Sequence, residues 1–349
     1  MRAAACVTVL SVLAFALTGS VASAATNSLV FKTQPASSGV GIVISNVVVQ
    51  VVDGKGSNVL QGGVAITLAL NKTGLTGTTV VITATNGAAA FSNLTVTQVG
   101  NGDTLTASAI GLKSAVSSVF SITQGKTAVV LTASTNLVTY GQAATLTAAV
   151  SAVAPASGML SGIVTFKDGS TTLGTGVLNA TNQASFTTTN RLLAGTHAIT
   201  ATFGGSTNFA ASASSALSLT VGKLALTVSG ITASNKIYDA KTTATINVSN
   251  AVLSAALSGD NVILNTSAAK GVFASKNAGA AKVVTISGLT ISGTNAANYS
   301  LTQPATTANI AAANIAVTAK GVNKVYDGTT NATVTLADNH LVGDVVADS

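Results

Sequence analysis

Glutamate does not occur in this chain, nor does tryptophan, and the only cysteine is Cys6. Each absence removes a class of chemistry. All nine acidic residues are Asp, and most stand beside Gly or in an obvious turn: Asp53, Asp103, Asp168, Asp260, Asp327 and Asp344. Asp there bonds its own backbone and shapes the reversal, so paired carboxylates for glycoside hydrolysis are not indicated. Cys6 sits in an apolar leader, and an exported chain without it has no thiol for a disulfide, a nucleophile or a metal. Aromatic residues make up 4% of the chain, too few for the girdles of a membrane β-barrel. Besides Phe, only Tyr140, Tyr238, Tyr299 and Tyr326 could stack on a sugar. The net charge is +7, but Lys and Arg are scattered singly without interleaved aromatics, so nucleic acid is not an expected partner.

What is present is a leader followed by β-strand patterning. Arg2 precedes an apolar run from Ala3 to Leu17, and Ala22-Ser23-Ala24 has the small-x-small form that a signal peptidase cuts. Cleavage after Ala24 would leave a mature chain beginning near Ala25. No later segment offers eighteen uninterrupted apolar residues, although the mean hydropathy is +0.57, so no membrane span is expected after signal removal. The apolar content alternates with Thr, Ser and Asn, the period-two pattern of strands. The expected fold class is all-β: tandem Ig-like sandwiches and a β-rich repeat in an extended array. Boundaries fall at small polar joints, giving a signal peptide (1–24), Ig-like units (25–124 and 125–222), a repeat unit (223–313) and the truncated start of a second (314–349).

The first unit holds a clean amphipathic strand, with Val64, Ile66, Leu68 and Leu70 on one face and Ala65, Thr67 and Ala69 on the other. Val47 to Val52 leads into Asp53-Gly54, a pair suited to the positive φ of a tight reversal. Leu29-Val30-Phe31, Gln34-Pro35, Val51-Val52-Asp53, Ala90-Phe91-Ser92-Asn93-Leu94 and Thr104-Leu105-Thr106-Ala107, in that order, make the unit resemble bacterial Ig-like repeats. The second unit resembles the group 3 type through Tyr140-Gly141-Gln142, Val164-Thr165-Phe166-Lys167-Asp168-Gly169, Gly195-Thr196-His197 and Thr207-Asn208-Phe209.

Beyond Lys223 the chain repeats itself. Lys236-Ile237-Tyr238-Asp239 returns 88 residues later as Lys324-Val325-Tyr326-Asp327, Ala244-Thr245 as Ala332-Thr333, and Leu257-Ser258-Gly259-Asp260 as Leu341-Val342-Gly343-Asp344. With Gly328 after Asp327, and with Asn298-Tyr299, these residues resemble the YDG-type domain of bacterial surface and filamentous adhesin-like proteins. The first copy departs at Ala240, where the pattern has Gly. Ala tolerates a left-handed backbone poorly, so that turn is expected to be strained or of another type. Lys236, Tyr238, Asp239, Asn298, Tyr299, Lys324, Tyr326, Asp327 and Gly328 are read as structural motif residues.

Candidate chemistry is sparse. His197 and His340 are the only histidines. Alternation puts His197 on the face of Ile199, Ala201 and Phe203, where a satisfied strand-end residue is expected. Asp338, Asp344 and Asp348 are the nearest approach to a calcium cluster, and they read as solvated loop acids. No catalytic, cofactor-binding or metal residue is assigned. A buried-acid-assisted Lys–Asn crosslink is not expected either. The resemblance implies a non-enzymatic secreted or cell-surface array, the stalk or display segment of an adhesin. Three sandwiches would make a rod of roughly 100 Å at the strand rise per residue. One alternative is a module that binds a surface polysaccharide or host protein through Ig-like loops, with Phe209 the loop aromatic to test. Another is an accessory region of a secreted enzyme whose catalytic domain lies beyond residue 349.

Overall fold

The computed structural model describes residues 27–188, 192–254 and 256–346. Ala24 and the leader lie outside them. The chain is all-β, and the only helical turn among the described residues is a 3-10 turn at Ala296–Asn298. It divides into two compact units. Unit 1 holds the described residues up to Ala128 with Ser151–Leu160 and Gly205–Ser212, and unit 2 holds the rest.

In unit 1, the strand Val47–Val52 pairs antiparallel with Ser28–Thr33 on one side and Ala88–Phe91 on the other. A second sheet orders Ala115–Val116, Leu105–Ser108, Ala65–Leu70 and Val80–Ile82. Alternation does its work in Ala65–Leu70: Ile66 and Leu68 are buried, while Ala65, Thr67 and Ala69 face solvent. Burying an aliphatic side chain of that size contributes about 1.5–3 kcal/mol. Val47–Val52 is covered on both faces. Its one polar residue, Gln50, is buried and donates through Nε2 to Val51 O at 3.2 Å and Asn86 O at 3.0 Å. The reversal after it differs from the expected one. Asp53 Oδ1 accepts from Lys55 N and Ser57 N, and the left-handed residue is Gly56 at φ 82° rather than Gly54. The longer Asx-type turn lets one carboxylate oxygen hold two amides, which a two-residue turn cannot.

In unit 2, the Ig-like portion faces one sheet against another. Residues 145–149 pair with Gln183–Thr187, and across from them Gly195–Phe203 lies between Leu217–Gly222 and Ile163–Asp168. Phe166 stacks on Phe186 at 5.8 Å between centroids. Gly174 sits under the Phe186 ring, where a Cβ would come within 2.1 Å of it. Val164, Phe166, Ile199, Ala201 and Phe203 are fully buried.

The following portion has shorter strands. Its main sheet orders Lys236–Ile237, Ala305–Ala311, Gly279–Ser287, Lys270–Phe273 and Thr243–Ala244. Two small cores pack along one face of it, one around Phe273, Val284 and Ile310, the other around Val228, Ile286 and Leu289. Beyond it Val317–Gly321 and Val334–Asp338 form an antiparallel pair.

Candidate functional site

The repeated motif builds a self-contained turn. Lys236 Nζ donates to Asp239 Oδ1 at 2.6 Å, Lys241 O at 2.7 Å and Thr243 O at 3.2 Å, closing over the reversal. The ammonium also lies 5.4 Å from the Phe273 ring centroid. Asp239 Oδ1 accepts from Lys241 N as well. The hydrogen bond from Lys236 is the chief reason the Asp239 carboxyl is held below the usual carboxylate range. In the second copy Lys324 Nζ donates to Asp327 Oδ1 at 2.9 Å and Thr329 O at 3.0 Å, and Thr329 N donates to the same Asp oxygen. Gly328 has φ 73° and Ala240 has φ 59°. The Ala has therefore kept the left-handed geometry and bears its strain, the first of the two outcomes expected for it.

The tyrosines of the motif do something different. Tyr238 Oη donates to Asp344 Oδ1 at 2.5 Å, and Lys276 Nζ reaches the same oxygen at 2.8 Å. Lys276 holds the Asp344 carboxyl low, with Tyr238 assisting. In return the Asp344 carboxylate raises both the Tyr238 phenol and the Lys276 ammonium. A cleft of about 290 Å³ opens beside this contact, lined by Tyr238, Asn277, Ile315, His340, Leu341 and Asp344. Tyr299 is 2% exposed. Its Oη donates to Asp260 Oδ2 at 2.5 Å and accepts from Leu257 N at 3.0 Å. Burial first, then the Asp260 bond, raises its phenol. Its ring meets Tyr140 edge-on at 5.5 Å. Asn298, also buried, accepts from Ala194 N at 2.8 Å. Tyr326 is 94% exposed.

Five residues depart from their expected roles. Asp338 is no solvated loop acid: it ends the strand Val334–Asp338, its side chain is 5% exposed, and its Oδ1 accepts from His340 N at 2.9 Å. Asp103 is no turn residue: it lies in the strand Gly100–Asp103, is 3% exposed, and faces Lys72 Nζ at 2.9 Å. Asp168 ends a strand and binds His197 Nδ1 at 2.7 Å. Asp344 is tied to Tyr238 and Lys276 rather than solvated. Phe209 is 2% exposed and packs against Gly125 and Gly158 within unit 1, so it offers no exposed ring.

His197 is satisfied at both nitrogens, Nε2 meeting Leu193 O at 2.8 Å. Burial disfavours its charge, but the bonds to Asp168 and Leu193 outweigh that and raise it above the ordinary histidine value. Its ring is thus a doubly bonded tie between strand and loop. His340 Nδ1 contacts Asp338. Among the described residues no three His, Cys, Asp or Glu side chains gather as a metal-holding group, and Asp348 lies outside them. No helix among them is long and apolar enough to cross a membrane.

Two family models match this architecture. Residues 131–222 match the bacterial Ig-like domain (group 3), and residues 221–308 match the YDG domain. The Ig-like segment thus contains Tyr140 and Ala194, and the YDG segment contains Tyr238, Asp260, Asn298 and Tyr299. No curated protein matches the chain. Among solved structures, the adhesin InvE of Yersinia pseudotuberculosis shares 15% identity over 56% of this chain and 58% of its own, with a TM-score of 0.32. The chain therefore spans little more than half of that structure's length. The Escherichia coli adhesin FdeC shares 13% identity over 82% of this chain and 97% of its own, with a TM-score of 0.30.

Proposed function

We propose that this chain is a non-enzymatic, exported structural array, a stalk or display segment of a bacterial surface adhesin. The observation that carries the reading is where the motif residues are engaged. Lys236, Asp239, Lys324 and Asp327 close turns, while Tyr140, Asn298 and Tyr299 bind the Ig-like segment to the YDG segment. Polar groups buried in this way hold segments together, because a buried polar atom without a partner costs about 1–3 kcal/mol. The adhesin names among the structural likenesses agree with the reading without carrying it. Export through the leader, with cleavage after Ala24, belongs to the same proposal.

The test is made on the source cells. Antibody raised against residues 27–346 should label intact cells, and deletion of the gene should reduce adherence to host cells or to polysaccharide-coated surfaces. Label confined to the cytoplasm, or adherence unchanged by the deletion, would sink it.

A second reading, binding through loops, loses Phe209 but keeps another observation. Leu60 and Ile110 are exposed apolar loop residues of unit 1, at 79% and 103%. If they contact a host protein or polysaccharide, Ile110→Ser should abolish adherence while surface labelling stays intact.

A further inference from the structure

Two tyrosines in unit 2 occupy the same backbone station. The strand Leu137–Thr139 runs parallel to Leu217–Gly222 with Thr139 opposite Gly222, and Tyr140 N then donates to Gly222 O at 2.8 Å. The strand Lys236–Ile237 runs parallel to Ala305–Ala311 with Ile237 opposite Ala311, and Tyr238 N then donates to Ala311 O at 2.9 Å. Each tyrosine follows a short early strand laid along the last strand of its segment. It therefore stands where the chain leaves for the next one.

What each tyrosine meets there is also the same. Leu257-Ser258-Gly259-Asp260 and Leu341-Val342-Gly343-Asp344 form one kind of turn. Asp260 N donates to Leu257 O and Asp344 N to Leu341 O, both at 3.0 Å, and Gly259 and Gly343 have φ 88° and 92°. At the second meeting Tyr238 Oη grips Asp344 directly. At the first, the Tyr140 ring lies against Tyr299, whose hydroxyl bonds both Asp260 and Leu257 N. The approach is tight enough that a Cβ on Gly141 would fall 2.4 Å from Leu257 Cδ1.

We propose that the strand-end tyrosine is a docking residue, and that its partner is the Leu-x-Gly-Asp turn of the YDG-type segment that follows. The segment before presents a phenol ring and the segment after presents a turn with a carboxylate. One recognition event is thus used at successive joints. At Tyr238 the carboxylate reaches the phenol, and beside Tyr140 the neighbouring Tyr299 binds the same kind of turn. Lys276 completes the contact at Tyr238 by neutralising the carboxylate that the phenol binds. The inference shares the Tyr140–Tyr299 contact with the stalk reading, but its test reads single tyrosines, whereas the stalk reading stands or falls on surface labelling and adherence.

The test is tetranitromethane nitration of the full chain, read tyrosine by tyrosine through peptide mass mapping. The reagent attacks the phenolate, so a phenol donating to a carboxylate reacts slowly and an exposed one reacts fast. Tyr326 should be nitrated first and serves as the internal reference. Tyr238 should lag behind it severalfold in the wild-type chain and approach it in Asp344→Asn, with Tyr299 unchanged. Asp260→Asn, made separately, should raise the reactivity of Tyr299 and leave Tyr238 slow. Equal Tyr238 rates in wild type and Asp344→Asn would overturn the proposal, as would simultaneous acceleration of Tyr238 and Tyr299 in either variant, which would mean general loosening.

Discussion

The two copies of the Lys-x-Tyr-Asp motif differ in one respect that separates its local role from its long-range one. Around Asp239 and Asp327 the same lysine closes over the same carboxylate and the same amide two residues on. That happens whether Ala or Gly fills the left-handed position. The tyrosines part company: Tyr238 is bonded to Asp344 and Tyr326 is 94% exposed. Lys and Asp thus encode the turn, which needs nothing outside it, whereas Tyr encodes a contact that exists only where a suitable loop arrives.

The comparison can be broken most severely beneath the first copy. Phe273 is 2% exposed and lies under Lys236. Phe273→Ala should cost about 3–5 kcal/mol from the lost ring and the cavity it leaves. Urea denaturation followed through the first copy should show that loss, while NMR signals of the Lys324 turn stay in place.

The Ala240 and Gly328 pair sharpens the comparison at a smaller scale. Both positions are left-handed, a conformation that costs a residue bearing a Cβ about 1–2 kcal/mol. Ala240→Gly should stabilise the first copy by about 1 kcal/mol after the entropy cost of Gly is offset, and Gly328→Ala should weaken the second by a similar amount. Opposite shifts in the denaturation midpoints of the two copies would confirm that the left-handed position carries a cost wherever a Cβ is present, on top of the turn that Lys and Asp close.

Acid should act on both copies in the same sense. Asp239 and Asp327 are held low chiefly by Lys236 and Lys324. A depressed folded value means the contribution is complete above the unfolded value near about 3.9 and fades as the pH falls through the lowered folded one. Carboxyl NMR titration should therefore give two midpoints below the ordinary Asp value, each moving up toward it in Lys236→Met or Lys324→Met, with the amide hydrogen bonds from Lys241 and Thr329 still holding it down in part. His197 supplies the smallest effect, with the opposite sign. Its raised value makes its contribution complete below about 6.5, the unfolded value, and fading as the pH rises through the folded one. Protection against hydrogen exchange around Asp168 and Leu193, taken relative to the intrinsic amide rate at each pH, should fall across that rise and stop varying with pH in His197→Gln.

Much of the fold was legible because it is written locally. Period-two alternation placed Ile66 and Leu68 inside, and the chain's own recurrence exposed the repeat. Single residues misled where a contact spans the sequence. Gly100-Asn101-Gly102-Asp103 reads as a turn, yet Asp103 is buried in a strand because Lys72, from another strand end, neutralises it. Phe209 reads as a loop aromatic, yet backbone pairing of its loop with Gly125 draws it inside. The partner of Tyr238 lies 106 residues away, and no local pattern announces it. The one signal that could have found it was the recurrence of Leu-x-Gly-Asp, which gains meaning only when each turn is placed beside a tyrosine.

The parallel pairing of early and last strands has a mechanical consequence. It recurs between Ser38–Gly39 and Phe120–Thr123, between Leu137–Thr139 and Leu217–Gly222, and between Lys236–Ile237 and Ala305–Ala311. Tension that pulls the early strand toward its amino end and the last strand toward its carboxyl end slides the two past each other. Their hydrogen bonds are then loaded in shear and must fail together, whereas an antiparallel pair peeled from one end gives way one bond at a time. A tether under flow would yield little until a threshold force is reached, without a disulfide anywhere to lock it.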